Sequence, residues 1–217
     1  MGPIEACQHF DVFNDELIQR MRTYYDSIGT YRSPVMNKAD PGKALEWIEP
    51  TLRSYYPQLG KFLGGNFYKH KTPYHPHVDH QPDWPLSVNF VVPIFVEGPP
   101  VDFVVFDQRW HMKPITWAMV QKVNEFFRNG FSITRPENGI PGSTEIEGHT
   151  QKHIDHDFWA RHLDHPYEYY FGLSGKAFPF IPGSLIMFET KHIHCTGRFN
   201  GLKLGLTLRY SIKQEEA

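Results

Sequence analysis

The segment LKLGLTLRYSI at residues 202–212 constrains the fold most. Its alternation puts Leu202, Leu204, Leu206 and Leu208 on one face and Lys203, Gly205, Thr207, Arg209 and Ser211 on the other. That is the period of a strand with one buried face. Similar β-branched or aromatic runs, divided by Pro and Gly, stand at 66–70, 75–79, 86–96, 102–107, 184–188 and 192–199. Between the two groups of strands, residues 110–182 hold a helical stretch (Trp117–Asn129), a Pro/Gly-rich loop (135–150) and a second helix capped by Asp155. The pattern predicts a single mainly β domain, a barrel or sandwich with a long insertion. Its parts are an N-terminal helical region (1–64), a β core (65–109 and 182–213) and the insertion (110–181).

In the N-terminal region, FDVF (10–13) reads as a short strand. Asn14 then caps a helix with Asp15 and Glu16 in its first turn and an apolar stripe of Leu17, Ile18, Met21 and Tyr25, ending at Gly29. A second helix is expected from Asp40-Pro41, interrupted by Pro50 and ending near Tyr56-Pro57.

A net charge of −2 and the lack of a Lys/Arg run give no support to a nucleic-acid surface. No apolar run approaches the roughly 18 residues that a membrane span needs. The first residues read as neither a signal peptide nor, with Ala6 in place of Ser/Thr, a myristoylation site. Cys7 and Cys195 are too few for a disulfide framework, which fits a cytoplasmic protein.

The 13 histidines matter only where they have chemical company. His75-Pro76-His77-Val78-Asp79-His80 supports two readings. As H-x-H-x-D-H it is the loop of a dinuclear zinc hydrolase of the metallo-β-lactamase type, with Gly148-His149-Thr150 as a second partial match. The polar, Pro-broken YKHKTP before it does not fit the buried strand that this loop requires. As H-x-D on a strand, His77 and Asp79 project to one side and form two corners of a mononuclear iron site. The third corner must come from a neighbouring strand. His194, after the turn at Pro182-Gly183 and the apolar SLIMF, supplies it. His192, two residues earlier, is its competitor.

HVD at 77–79, PGSLIMF…H at 182–194 and RYS at 209–211 resemble the iron(II)/2-oxoglutarate-dependent oxygenases, whose pattern is H-x-D, a distal His and R-x-S. The resemblance covers about residues 65–109 and 182–213. It implies a double-stranded β-helix (jelly-roll, cupin-like) core. It also implies iron(II) held by His77, Asp79 and His194, with 2-oxoglutarate and O2 as co-substrates. The activity implied is hydroxylation of a C–H bond in a small metabolite or amino-acid-like substrate, a peptide side chain being compatible, with succinate and CO2 as co-products. A carboxylate at 79 favours hydroxylation over halogenation. Arg209 is expected to anchor the distal carboxylate of 2-oxoglutarate through a two-bond fork, with Ser211 adding a hydroxyl and Lys203 held in reserve. Asn89 and Tyr68 are further candidates for co-substrate contacts. The aromatic 158–173 stretch reads as packing or part of a lid. Besides the zinc hydrolase, a non-catalytic cupin-like metal or small-molecule binder is the other alternative.

Overall fold

A computed structural model of the chain describes residues 4–29, 31–32, 37–74, 76–79, 85–110, 146–148, 152–164, 166–170 and 172–213. In chain order the elements are β1 Cys7–His9, α1 Asp15–Ser27, β2 Tyr31–Arg32, β3 Asn37–Ala39 and α2 Lys43–Tyr55. Then come β4 Leu59–His70, β5 Ser87–Glu97, β6 Asp102–Trp110, β7 Ile146–Glu147, α3 His156–His162 and a 3-10 turn at Tyr167–Tyr170. The chain closes with β8 Gly175–Pro179, β9 Leu185–Glu189, β10 His192–Thr196 and β11 Leu202–Ile212.

All pairings are antiparallel. The major sheet runs β1-β9-β5-β11-β4-β3-β2, and the minor sheet places β10 on one edge of β6 with β7 and β8 on the other. This is the expected jelly-roll core with N-terminal helices. β11 sits at its centre, paired with both β4 and β5. Its Leu204, Leu206, Leu208 and Tyr210 pack with Ile18, Met21 and Tyr25 of α1 and Ala44, Ile48 and Leu52 of α2. Each fully buried side chain of this size contributes about 1.5–3 kcal/mol. The opposite face looks into the roll, among Tyr68, Val91, Phe103, Phe180, Phe188 and Phe199. The polar side of β11 is therefore interior rather than solvent. A third cluster, with Val104, Phe106 and Ile193, packs the outer face of the minor sheet against Leu163 and Tyr170.

Local capping signals read well. Asn14 Oδ1 accepts the Leu17 N–H at 2.9 Å, and Asp155 Oδ1 accepts that of Phe158 at 2.8 Å. Four expectations change. FDVF is not a strand: β1 ends just before it, and the N–H groups of Val12 and Phe13 both donate to Gly183 O. α2 runs unbroken through Pro50, which lies on its exposed side, where the carbonyl left unpaired reaches water. The β core resumes at Gly175, inside the expected insertion, because β8 pairs with β6. β8 is five residues long with Lys176 and Pro179 exposed, too little pattern for a strand signal. Residues 76–79 form no continuous strand, only a single bridge from His77 to His194, and His75 lies outside the described residues. The helix expected at Trp117–Asn129 and most of the 135–150 loop lie outside the described residues. Among the described residues, no helix is long and apolar enough to cross a membrane.

Candidate metal and co-substrate site

The His77–His194 bridge joins the H-x-D segment to the minor sheet. The His77 N–H donates to His194 O at 3.0 Å, and the His194 N–H to His77 O at 2.9 Å. With Asp79 two residues further on, ligand atoms of His77, Asp79 and His194 all come within 4.8 Å of one another. Nδ1 of His194 donates to the His192 carbonyl at 3.0 Å, which turns Nε2 toward Asp79 Oδ2, 3.5 Å away. The His194 ring is 2% exposed as part of its residue and lies between Phe103 and Phe188, centroids 5.6 and 4.8 Å away. Tyr74 stands edge-on to His77 at 4.7 Å.

Asp79 is held from the major sheet. Its Oδ2 accepts from Arg209 Nη2 at 2.7 Å and from Asn89 Nδ2 at 2.9 Å, side chains that sit opposite one another on β11 and β5. Burial alone would raise its carboxyl pKa. The Arg209 guanidinium, a bond from His194 and the charges of His194 and His77 outweigh burial and hold it well below the usual carboxylate range. Two imidazoles and a carboxylate converging from separate elements suit a divalent iron.

His192 does not compete. The pairing of β10 with β6 shifts register between His192, opposite Arg109, and His194, opposite Val105. Both ring nitrogens of His192 face backbone carbonyls, Phe106 O at 2.7 Å and Ile4 O at 3.3 Å. The additional zinc-loop residues His75, His80 and His149 lie outside the described residues.

A second polar group lies beside the triad. Thr196 is two residues past His194 on β10, roughly 6–7 Å along the strand. Its Oγ1 accepts from Lys203 Nζ at 2.6 Å. Lys203 is fully buried and ringed by Phe180, Tyr68, Phe103 and Phe199, with Nζ 4.6 to 5.9 Å from the ring centroids. Burial pushes its pKa down to about 7, a neighbouring Cys195 acting weakly the other way. The Tyr68 hydroxyl and His70 Nδ1 are buried here with no hydrogen-bond partner. Burial, then the charges of Lys203 and Lys38, lower His70 to about 3, so its ring is neutral. A buried cation that meets no carboxylate among the described residues, next to a hydroxyl without a partner among them, is a cradle chemically suited to an anion. Gly205 keeps it open: a Cβ there would come 2.5 Å from the Tyr68 hydroxyl and 2.9 Å from the Phe180 ring.

The four residues expected to contact 2-oxoglutarate thus separate. Tyr68 lines the Lys203 cradle. Arg209 and Asn89 instead grip Asp79. Ser211 Oγ accepts the Lys61 N–H at 2.8 Å and serves as a clip to β4. Thr196, His70 and Lys38 were not singled out from sequence. The usable signals were spacings of two, His194 to Thr196 and Tyr68 to His70, which place each pair on one strand face.

No family model and no curated protein matches the sequence. Solved structures do match in fold. The chain is similar to the non-haem α-ketoglutarate-dependent carbocyclase SnoK of nogalamycin biosynthesis (TM-score 0.56, 10% identity, 96% of this chain and 79% of that one). It is similar also to the epimerase SnoN of the same biosynthesis (0.55, 11%, 95% and 78%). HygX from Streptomyces hygroscopicus, solved with nickel and 2-oxoglutarate, is a third (0.54, 11%, 95% and 82%). The protein has the jelly-roll fold of the iron(II)/2-oxoglutarate oxygenases.

Proposed function

We propose that this chain is an iron(II)- and 2-oxoglutarate-dependent oxygenase that hydroxylates a C–H bond of a small molecule. The observation that carries the reading is the juxtaposition of the His77–Asp79–His194 cluster with the buried Lys203, which has no carboxylate partner among the described residues. When bound, the metal and 2-oxoglutarate supply O2-dependent oxidation of substrate, with succinate and CO2 as co-products. His77, Asp79 and His194 hold the metal. Asn89 and Arg209 fix the rotamer of Asp79, whose Oδ2 they both bond. The Lys203 ammonium, with the hydroxyls of Thr196 and Tyr68, receives the distal carboxylate of 2-oxoglutarate, taking the role first expected of Arg209. Phe103 and Phe188 keep water from the His194 side. SnoK, SnoN and HygX are similar in fold to this chain and carry 2-oxoglutarate in their names or structures, which supports the same co-substrate here.

The test is anaerobic titration of the purified protein with iron(II) and 2-oxoglutarate, followed by exposure to air with candidate substrates. One iron per chain, a visible absorption band that needs both additions, and succinate formed as 2-oxoglutarate disappears are expected. Two tightly held zinc ions with ester hydrolysis would replace this reading with the zinc hydrolase. Metal binding without 2-oxoglutarate turnover would leave the cupin-like binder.

A further inference from the structure

In the proposed function two cations near the triad, Arg209 and Lys38, are not assigned to 2-oxoglutarate. On the inner face of the major sheet, Lys203 lies opposite His70, Gly205 opposite Tyr68, Thr207 opposite Asn66 and Arg209 opposite Gly64. Lys203 and Arg209 are six strand residues apart, roughly 20 Å of backbone. The Lys203–Thr196 pair lies on one side of the triad and Arg209 bonds Asp79 from another. With the co-substrate at Lys203, the Arg209 side is left for substrate.

Arg209 is equipped for more than Asp79. Nη2 is spent on Oδ2, but Nε is buried without a hydrogen-bond partner. A guanidinium has five donors, and an unmet buried one is costly. Lys38 adds a second cation. It lies opposite Tyr68 in the β3–β4 register and is half-buried. Burial lowers its pKa most, the Asp79 charge raises it and the Arg209 charge lowers it, so the three groups share one field. Room exists opposite Arg209, since a Cβ on Gly64 would meet nothing within 4 Å among the described residues. Once Asp79 serves a metal, its charge no longer balances both Arg209 and Lys38.

We propose that Arg209 and Lys38 receive an oxyanion group, carboxylate or phosphate, carried by the substrate. This rests on the oxygenase reading for the word substrate, but the anion site can be measured apart from it. The probes are matched pairs: N-acetyl amino acids with their amides, and sugar monophosphates with the free sugars. Their effect on the melting temperature is read for the full chain, both metal-free and with iron(II) and 2-oxoglutarate under argon.

At least one anionic member should stabilise the protein at concentrations where its neutral partner does not. Lys38→Met and Arg209→Gln should each weaken that binding about tenfold, and Lys38→Arg should restore it. Lys38 stands on the short strand β3, so its variants test the idea even if Arg209→Gln fails to fold. The pair type that responds distinguishes carboxylate from phosphate. Neutral members binding as well as anions would overturn the proposal. So would a preference that survives in Lys38→Met, or one abolished only by Lys203→Met, which would put the anion in the co-substrate cradle. A missing iron/2-oxoglutarate band in the wild-type protein would sink the oxygenase reading and leave the anion preference to be judged alone.

Discussion

Lys203 Nζ lies 2.6 Å from Thr196 Oγ1, and Thr196 shares its strand with His194, two residues away. An ammonium at the centre of the jelly roll is thereby aimed from one residue pair beyond the candidate metal ligands. Its neighbours are aromatic rings rather than carboxylates. Cation–π contacts compensate only part of the hydration that burial removes. The charge is best completed by an anion that arrives with the co-substrate.

Lys203→Met should therefore weaken 2-oxoglutarate by about ten- to a hundredfold, the loss of one charge-assisted bond worth about 1.5–3 kcal/mol. Iron content should stay near one per chain. Arg209→Ala should cost less in 2-oxoglutarate affinity and more in metal affinity, because its bond is to Asp79. Titration of the absorption band against 2-oxoglutarate measures both. A larger co-substrate defect in Arg209→Ala than in Lys203→Met would return the anchor to Arg209.

Binding of 2-oxoglutarate should take up a proton above neutral pH. The free amine, pushed down to about 7 by burial, is mostly neutral at pH 8, whereas pairing with a carboxylate requires the ammonium. His70, lowered to about 3, and Tyr68, raised far above its ordinary value by burial, stay neutral across this range. Affinity should be flat below about pH 7 and fall about tenfold per unit above it. Stability of the ligand-free protein has the opposite slope. Between about 7 and 10 the unfolded chain binds more protons at this lysine, so the fold gains stability as pH rises. Calorimetry at pH 8 in two buffers of different ionisation enthalpy gives the proton count directly. A count near zero at pH 8 would mean that the amine is already charged in the free protein.

The metal set is tested by single replacements. Ala at His77, Asp79 or His194 should abolish stoichiometric iron binding. His192→Ala should keep iron but lower the melting temperature, since it deletes the buried bond to Phe106 O. Metal analysis alongside thermal denaturation separates the two effects. Iron retained in His194→Ala and lost in His192→Ala would exchange their roles.

The sequence was most legible where period and chemistry coincide. The alternation of 202–212 predicted a strand, Asn14 and Asp155 announced helix starts, and the jelly roll followed from strand order and resemblance. The convergence of His77, Asp79 and His194 was legible from their spacing and order, although His77 makes an isolated bridge in place of the expected strand. The split between Lys203 and Arg209 was not. Both stand on one face of one strand, and only the tertiary contacts show that one meets Asp79 and the other Thr196. His192 was a competitor on the sequence because it stands two residues from His194, and the backbone carbonyls that face its ring nitrogens carry no sequence signal. β8 was hidden because a short strand at the sheet edge, half-exposed, carries almost no pattern.

Gly205 offers a test of the cradle that leaves every polar group in place. An added Cβ would lie 2.5 and 2.6 Å from the hydroxyl and Cζ of Tyr68 and 2.9 Å from the Phe180 ring. These are rigid aromatic atoms in a buried layer, so Gly205→Ala must push Tyr68 from its position beside Lys203. Overpacking of this kind costs about 1–3 kcal/mol, which thermal denaturation will register. The informative quantity is the ratio of two affinities. Iron binding should be unchanged, because none of the triad contacts passes through Gly205, while 2-oxoglutarate should weaken at least several-fold as the Tyr68 hydroxyl is displaced. Tyr68→Phe on the Gly205→Ala background removes the hydroxyl clash but leaves the ring carbon at 2.6 Å, so it should recover only part of the thermal stability and none of the 2-oxoglutarate affinity. Full recovery of both would mean that Tyr68 contributes bulk alone and that Lys203 and Thr196 hold the carboxylate without it.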